Sequence, residues 1–143
     1  MLVSLDQLGE FTQNLISKYP DQRIFLLKGE MGAGKTTFTK AFCSHFHPFQ
    51  QVVSPTFSIA NVYDCKEGGE LFHFDLYRLN SAQEALDVGL LDYIFSGNYC
   101  LIEWPEMILN MLPESYVQIE IESVNQENLR EIKDHLVQFS DLK

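Results

Sequence analysis

Arginine is in short supply in this chain. Only Arg23, Arg78 and Arg130 occur among 143 residues, and all lysines and arginines together number 10 against 20 aspartates and glutamates. The formal net charge of −10 and a pI near 4.7 leave no basic footprint, so a tight, autonomous grip on DNA or RNA is not expected. Cysteine is scarce as well. Cys43, Cys65 and Cys100 are widely spaced and odd in number, which argues against a disulfide framework or a Cys-x-x-Cys metal site and suits reduced thiols in a cytosolic compartment. No uninterrupted apolar run approaches the ~20 residues of a membrane span. The opening Met1-Leu-Val-Ser-Leu-Asp has neither a cationic stretch nor a small-residue cleavage site, so no secretory signal and a cytoplasmic location are expected. There is also no internal repeat, low-complexity tract or Pro/Gly/Ser linker, and the expectation is one domain over residues 1–143.

What is present supports a core: 45% of the residues are hydrophobic. The acidic excess is greatest toward the C-terminal end, where nine acids from Glu103 onward face Arg130, Lys133 and Lys143. Such a run is a solvated face or a docking surface for a basic partner.

Periodicity predicts the elements. Ser4 caps a helix over Leu5–Lys18, with Leu5, Leu8, Thr12 and Leu15 along one face. Arg23–Lys28 is a short apolar strand buried on both faces. A helix follows to about Phe46, then strands Ile59–Tyr63 and Leu71–Asp75 joined by a hairpin at Gly68-Gly69. Asn80 or Ser81 caps a helix through Val88, Gly89 breaks it, and a short helix Leu90–Phe95 comes next. Tyr99–Glu103 reads as another buried strand, with Pro105 at a first helical position. Tyr116–Val124 alternates and reads as a half-exposed strand near a sheet edge. Asn125 is expected to cap a final amphipathic helix with Leu129, Ile132, Leu136 and Phe139 inward. This order predicts an α/β fold, a mixed and mostly parallel sheet flanked by helices.

Between the first buried strand and its helix lies Gly29-Glu-Met-Gly-Ala-Gly34-Lys35-Thr36, the full P-loop spacing in its proper context, and with it the P-loop NTPase fold. Glycines let the backbone turn its N–H groups inward on phosphate oxygens, and the helix N-terminus adds positive potential. Gly29, Met31, Gly32, Ala33 and Gly34 are therefore expected to cradle the phosphates of a nucleotide with Lys35, Thr36 and Thr37. Lys35 meets the β- and γ-phosphates, Thr36 offers its hydroxyl to Mg²⁺, and Thr37 reaches the α-phosphate. Mg²⁺ needs further oxygens. Asp75 and Glu103 close two strands whose C-terminal ends would lie beside the loop, although Asp75 could instead pair with Arg78, and Glu103 could cap the helix near Pro105. Ser54-Pro55-Thr56-Phe57 reads from its residues as a plain turn, Trp104 as a core or rim aromatic, His73 as core, and His45/His47 as a helix terminus rather than a metal site.

Taken together, GEMGAGKTTF (29–38), SPTF (54–57), HFDLYRL (73–79), EALDVGLLDY (84–93) and LIEWPE (101–106) resemble the TsaE family, over about Arg23 to Pro113. Its members are small bacterial P-loop ATPases required for threonylcarbamoyl modification of adenosine 37 in tRNA. The resemblance implies that Thr56 lies in a switch-like loop facing the γ-phosphate. It implies that Asp75 and Glu103 serve Mg²⁺ and the attacking water, and that Trp104 sits close to the nucleotide. It further implies TsaD and TsaB as partners, with tRNA engaged indirectly through them and neither DNA nor membrane involved. With Arg78 the only arginine inside a motif, weak ATP hydrolysis alone and stimulation by partners are expected. The competing readings are a small-molecule kinase and a nucleotide-gated binding module.

Overall fold

A computed structural model describes residues 1–53, 55 and 59–138. Among these residues seven strands form one sheet: β1 (Leu2–Ser4), β2 (Ile24–Lys28), β3 (Ala60–Asp64), β4 (Glu70–Asp75), β5 (Tyr99–Glu103), β6 (Ser115–Ser123) and β7 (Leu129–Gln138). The spatial order is β1-β7-β6-β2-β5-β4-β3. The central strands β6, β2, β5 and β4 pair in parallel, while β3 and β7 run antiparallel to their neighbours. Parallel strands buried on both faces need near-continuous apolar sequence, which Ile24, Phe25, Leu26 and Leu27 supply.

Alternate residues of β2 feed two cores. Phe25 and Leu27 pack with Leu15 of helix α1 (Leu8–Lys18) and with Phe38 and Phe42 of α2 (Lys35–Ser44). Ile24 and Leu26 pack on the opposite face with Ala85 of α3 (Ala82–Asp87), Leu90 and Ile94 of α4 (Leu90–Ile94), and Ile108 of a 3₁₀ segment, Pro105–Met111. Helices thus cover both faces, as expected. None among the described residues is long and apolar enough to cross a membrane.

Most of the local expectations hold. Ser81 rather than Asn80 is the cap, its hydroxyl accepting from the Glu84 N–H at 3.4 Å. Gly89 breaks the chain with φ 79°, a value that favours glycine. Leu5–Gln7 is a 3₁₀ turn leading into α1. The His45 ring bonds back to the Thr12 hydroxyl at 2.9 Å and the Gly9 carbonyl at 3.0 Å, tying the end of α2 to α1.

Two expectations fail at the C-terminal end. The segment expected to be a helix from Asn125 is strand β7, paired antiparallel with β6 from Ser123↔Arg130 to Ser115↔Gln138. Ile132 and Leu136 are four residues apart, a spacing that keeps side chains on one side of a helix and equally on one side of a strand. Pairing decides the outcome: as a strand, the segment joins its backbone groups to those of β6 over nine residue pairs. Phe139 lies outside the described residues. For the same reason β6 is interior, between β2 and β7, and not at an edge. Its alternation reports one face in the core (Val117, Ile119, Ile121) and one partly open (Gln118, Glu120). Strand β1 was not anticipated; it joins the free side of β7 through Val3↔Arg130.

Candidate functional site

The loop Gly29–Gly34 leaves the C-terminal end of β2 and enters α2 at Lys35. Its shape depends on glycine at defined places. Gly34 holds φ 105° and Gly32 φ 79°, backbone that L side chains rarely adopt. A Cβ on Gly29 would stand 2.7 Å from the Ile121 carbonyl oxygen of β6. That approach is possible only without a side chain. Met31 at the loop tip is exposed, and Ala33 is buried. Thr36 is half-buried and Thr37 exposed on the first turn of α2.

Lys35 folds inward and is only 6% exposed. Its Nζ donates to the Gly29 carbonyl at 2.7 Å and lies 3.7 Å from the centroid of the Trp104 ring. Burial lowers the Lys35 pKa from its ordinary value, while the carboxylates of Glu103, Asp75 and Glu106 act in the opposite direction. One ammonium among three carboxylates makes a region with surplus negative charge. A polyphosphate would enter it only together with a further cation.

The sheet places those acids. Register pairs Asp75 of β4 with Glu103 of β5, and Leu27 of β2 with Glu103 on the other side. Asp75 and Glu103 therefore end neighbouring parallel strands beside the loop that follows β2, where open α/β sheets bind ligands. Asp75 Oδ1 accepts the Tyr77 N–H at 3.1 Å, and its carboxylate remains half-buried.

Glu103 does not cap the following 3₁₀ segment, whose N-cap is Trp104 without a side-chain cap bond. It is 3% exposed, and its Oε2 meets His73 Nε2 at 2.5 Å. With the carboxylate charged, Nε2 carries the proton and donates. His73 Nδ1 is buried and lacks a partner among the described residues. His73 is core by burial, as expected, but it also holds an acid of the site, which the sequence reading missed. The pair arises because alternate residues of β4 share one face of the sheet with Glu103 across the strand pair.

Trp104 adopts φ 56° and ψ 59°, an unusual conformation for a bulky residue and one concentrated at functional sites. The turn lays its ring over Lys35 and within 5.0 Å of the Tyr77 ring. A second residue the sequence reading missed is Arg130. Its Nε donates to the Ala33 carbonyl at 2.7 Å and its Nη1 to the Glu127 and Leu129 carbonyls. The helix expected there hid this contact, since only the β6–β7 pairing brings position 130 to the loop. Thr56 lies outside the described residues.

For Mg²⁺, the hydroxyl of Thr36 and the carboxylate of Asp75 are hard oxygen donors of the right chemistry. No group of three His, Cys, Asp or Glu side chains able to hold a metal occurs among the described residues. Mg²⁺ takes one or two protein oxygens and completes its shell with water and phosphate. Glu103, with one oxygen on His73, is the less suitable direct ligand.

A family model described as threonylcarbamoyl adenosine biosynthesis protein TsaE matches residues 2–132. The tRNA threonylcarbamoyladenosine biosynthesis protein TsaE of Haemophilus influenzae is 34% identical over 114 residues, 79% of this chain and 72% of that protein. The protein of the same name from Bacillus subtilis is 40% identical over 99 residues, 68% of this chain and 60% of its own length. That of Rickettsia bellii is 32% identical over 122 residues, 85% and 83% of the two chains. Among solved structures, Bacillus subtilis YdiB matches with a TM-score of 0.69 at 27% identity, over 99% of this chain and 86% of that one. The fold is that of a P-loop NTPase.

Proposed function

The chain belongs to the TsaE family of threonylcarbamoyl adenosine biosynthesis proteins, and from that premise we propose that it binds and hydrolyses ATP in tRNA N6-threonylcarbamoyladenosine formation. Its partners in this reading are TsaD and TsaB, whose cycle the hydrolysis drives. The observation that carries the reading is the meeting of Lys35, Asp75 and Glu103 at the loop after β2. They offer a cation to the phosphates and acids to a Mg²⁺ ion and the attacking water, parts that phosphoryl transfer uses.

Each side chain has a role in this reading. Lys35 leaves the Gly29 carbonyl and the Trp104 ring for the phosphates, which repay an ammonium held out of water. The loop N–H groups and the start of α2 hold the same oxygens. Thr36 and Asp75 would hold Mg²⁺, which supplies positive charge to the phosphate oxygens. Glu103, oriented through Oε2 by His73, keeps Oε1 to position and deprotonate the attacking water. Trp104 and Tyr77 wall the site. By the family resemblance, Thr56 would offer its hydroxyl to the γ-phosphate.

With only three arginines in the chain, and Arg130 committed to backbone carbonyls, charge stabilisation is incomplete in the isolated protein. Turnover is therefore slow alone and rises when TsaD, TsaB and tRNA are present. Glu103→Gln tests the assignment. It should retain ADP affinity within about threefold and lower phosphate release at least about a hundredfold, in keeping with the loss of a general base. Unchanged turnover in Glu103→Gln, or no ATP hydrolysis by wild type with both partners and tRNA, contradicts the proposal.

A further inference from the structure

Arg130 stands outside every motif in the chain, yet its side chain touches the phosphate loop. It is the second residue of β7, opposite Ser123 of β6 and Val3 of β1. From there its Nε donates to the Ala33 carbonyl at 2.7 Å. Its Nη1 is anchored at 2.8 Å on the Glu127 carbonyl and 2.7 Å on the Leu129 carbonyl. The guanidinium is thus fixed at one end by the Glu127 and Leu129 carbonyls and presents Nε to the loop. It also flanks Gly34, whose added Cβ would lie 3.6 Å from Nε. No peptide bond among the described residues is cis. In a trans peptide the carbonyl and the following N–H point in opposite directions. Holding the Ala33 oxygen toward β7 therefore turns the Gly34 N–H away from β7. Gly34 needs that restraint, because a glycine at φ 105° has many other conformations open to it.

We propose that Arg130 is a positioning residue for the phosphate cradle: by holding the Ala33 carbonyl it aims the Gly34 N–H at the bound polyphosphate. This rests on the nucleotide-binding reading above. Arg130 never touches the phosphates; it acts through one peptide plane and lowers the conformational cost of ordering the loop around an anion.

An isosteric pair of variants separates positioning from charge. Glutamine carries its amide nitrogen the same number of bonds from Cα as arginine carries Nε. Methionine has the same length without a donor. Titration of wild type, Arg130→Gln and Arg130→Met with ADP and with inorganic pyrophosphate, each in excess Mg²⁺, by calorimetry well below each thermal midpoint, gives the comparison. Arg130→Met should weaken both ligands about tenfold or more, the size of one lost hydrogen bond to a charged group. Arg130→Gln should stay within about threefold of wild type. Equal affinities for Met and wild type, or equal losses for Gln and Met, overturn the proposal. If wild type binds neither ligand, the nucleotide reading itself falls, and Arg130 with it. Should Arg130→Met fail to fold, wild type alone decides. A through-hydrogen-bond scalar coupling between Arg130 Nε and the Ala33 carbonyl carbon is expected, and its absence in the folded protein overturns the contact.

Discussion

At the scale of single residues, burial decides which reactive groups are available for chemistry. Cys43, Cys65 and Cys100 are all free and buried, and burial pushes the thiols of Cys43 and Cys100 up to about 12. A thiol whose folded pKa is raised contributes stability below its unfolded value and loses it as pH climbs. The loss runs from about 9 toward about 12. In native protein at neutral pH these thiols should react with a disulfide reagent only as fast as the chain opens, and all at once in denaturant. Rapid modification of Cys43 or Cys100 in the folded state would contradict their placement. Lys35 shows the opposite use of burial, since its ammonium is held from water by contacts that an anion can replace.

At the scale of elements, the site is a junction of strand ends. Its tolerances are those of the backbone around it. Gly29→Ala would drive a methyl group to 2.7 Å from the Ile121 carbonyl of β6, and a paired strand cannot give way cheaply. The expected cost is about 1–3 kcal/mol in urea unfolding, with nucleotide affinity lost in the protein that still folds. Wild-type stability in this variant would mean that β6 does not wall the loop. Further along β7, Asp134 accepts from Lys18 Nζ at 2.9 Å and from the Tyr19 hydroxyl at 2.7 Å, tying the end of α1 to the sheet. Burial would raise the Asp134 pKa, but these bonds together carry it below its ordinary value. Its contribution is accordingly full above about 3.8 and lost as pH falls through the lower folded value. Because the Lys18 partner is largely exposed, Asp134→Asn should cost about 1 kcal/mol at pH 7, shrinking toward zero in acid. A pH-independent difference would contradict the tie.

How much of this was legible follows from the same elements. Gly29–Thr36 identifies itself because strand, loop spacing and helix are contiguous in sequence. Asp75 and Glu103 were found by position at strand ends, a reading that needs only the directions of two strands. The His73–Glu103 pair and the Arg130 contact depend on register between segments 30 and 97 residues apart, which no local pattern encodes. Strand β7 was misread because Ile132 and Leu136 satisfy two periodicities at once, and only the partner strand chooses between them.

At the scale of the whole molecule, charge separates this protein's role from that of a tRNA-binding protein. A net charge of −10 opposes tight binding to a nucleic acid, which counterion release by clustered lysines and arginines drives. Isolated protein should show no tRNA retention in filter binding at physiological salt, and tRNA should be held only through TsaD and TsaB. Tight, salt-sensitive binding by the protein alone would contradict that division. The family assignment, the strand-end acids and the phosphate loop converge on one cellular outcome. The measurement that tests it most directly is the threonylcarbamoyladenosine content of tRNA in cells depleted of this protein, rescued with wild type or Lys35→Ala. The account predicts loss of the nucleoside on depletion, restoration by wild type, and none by Lys35→Ala. Unchanged modification after verified depletion, or full rescue by Lys35→Ala, would contradict it.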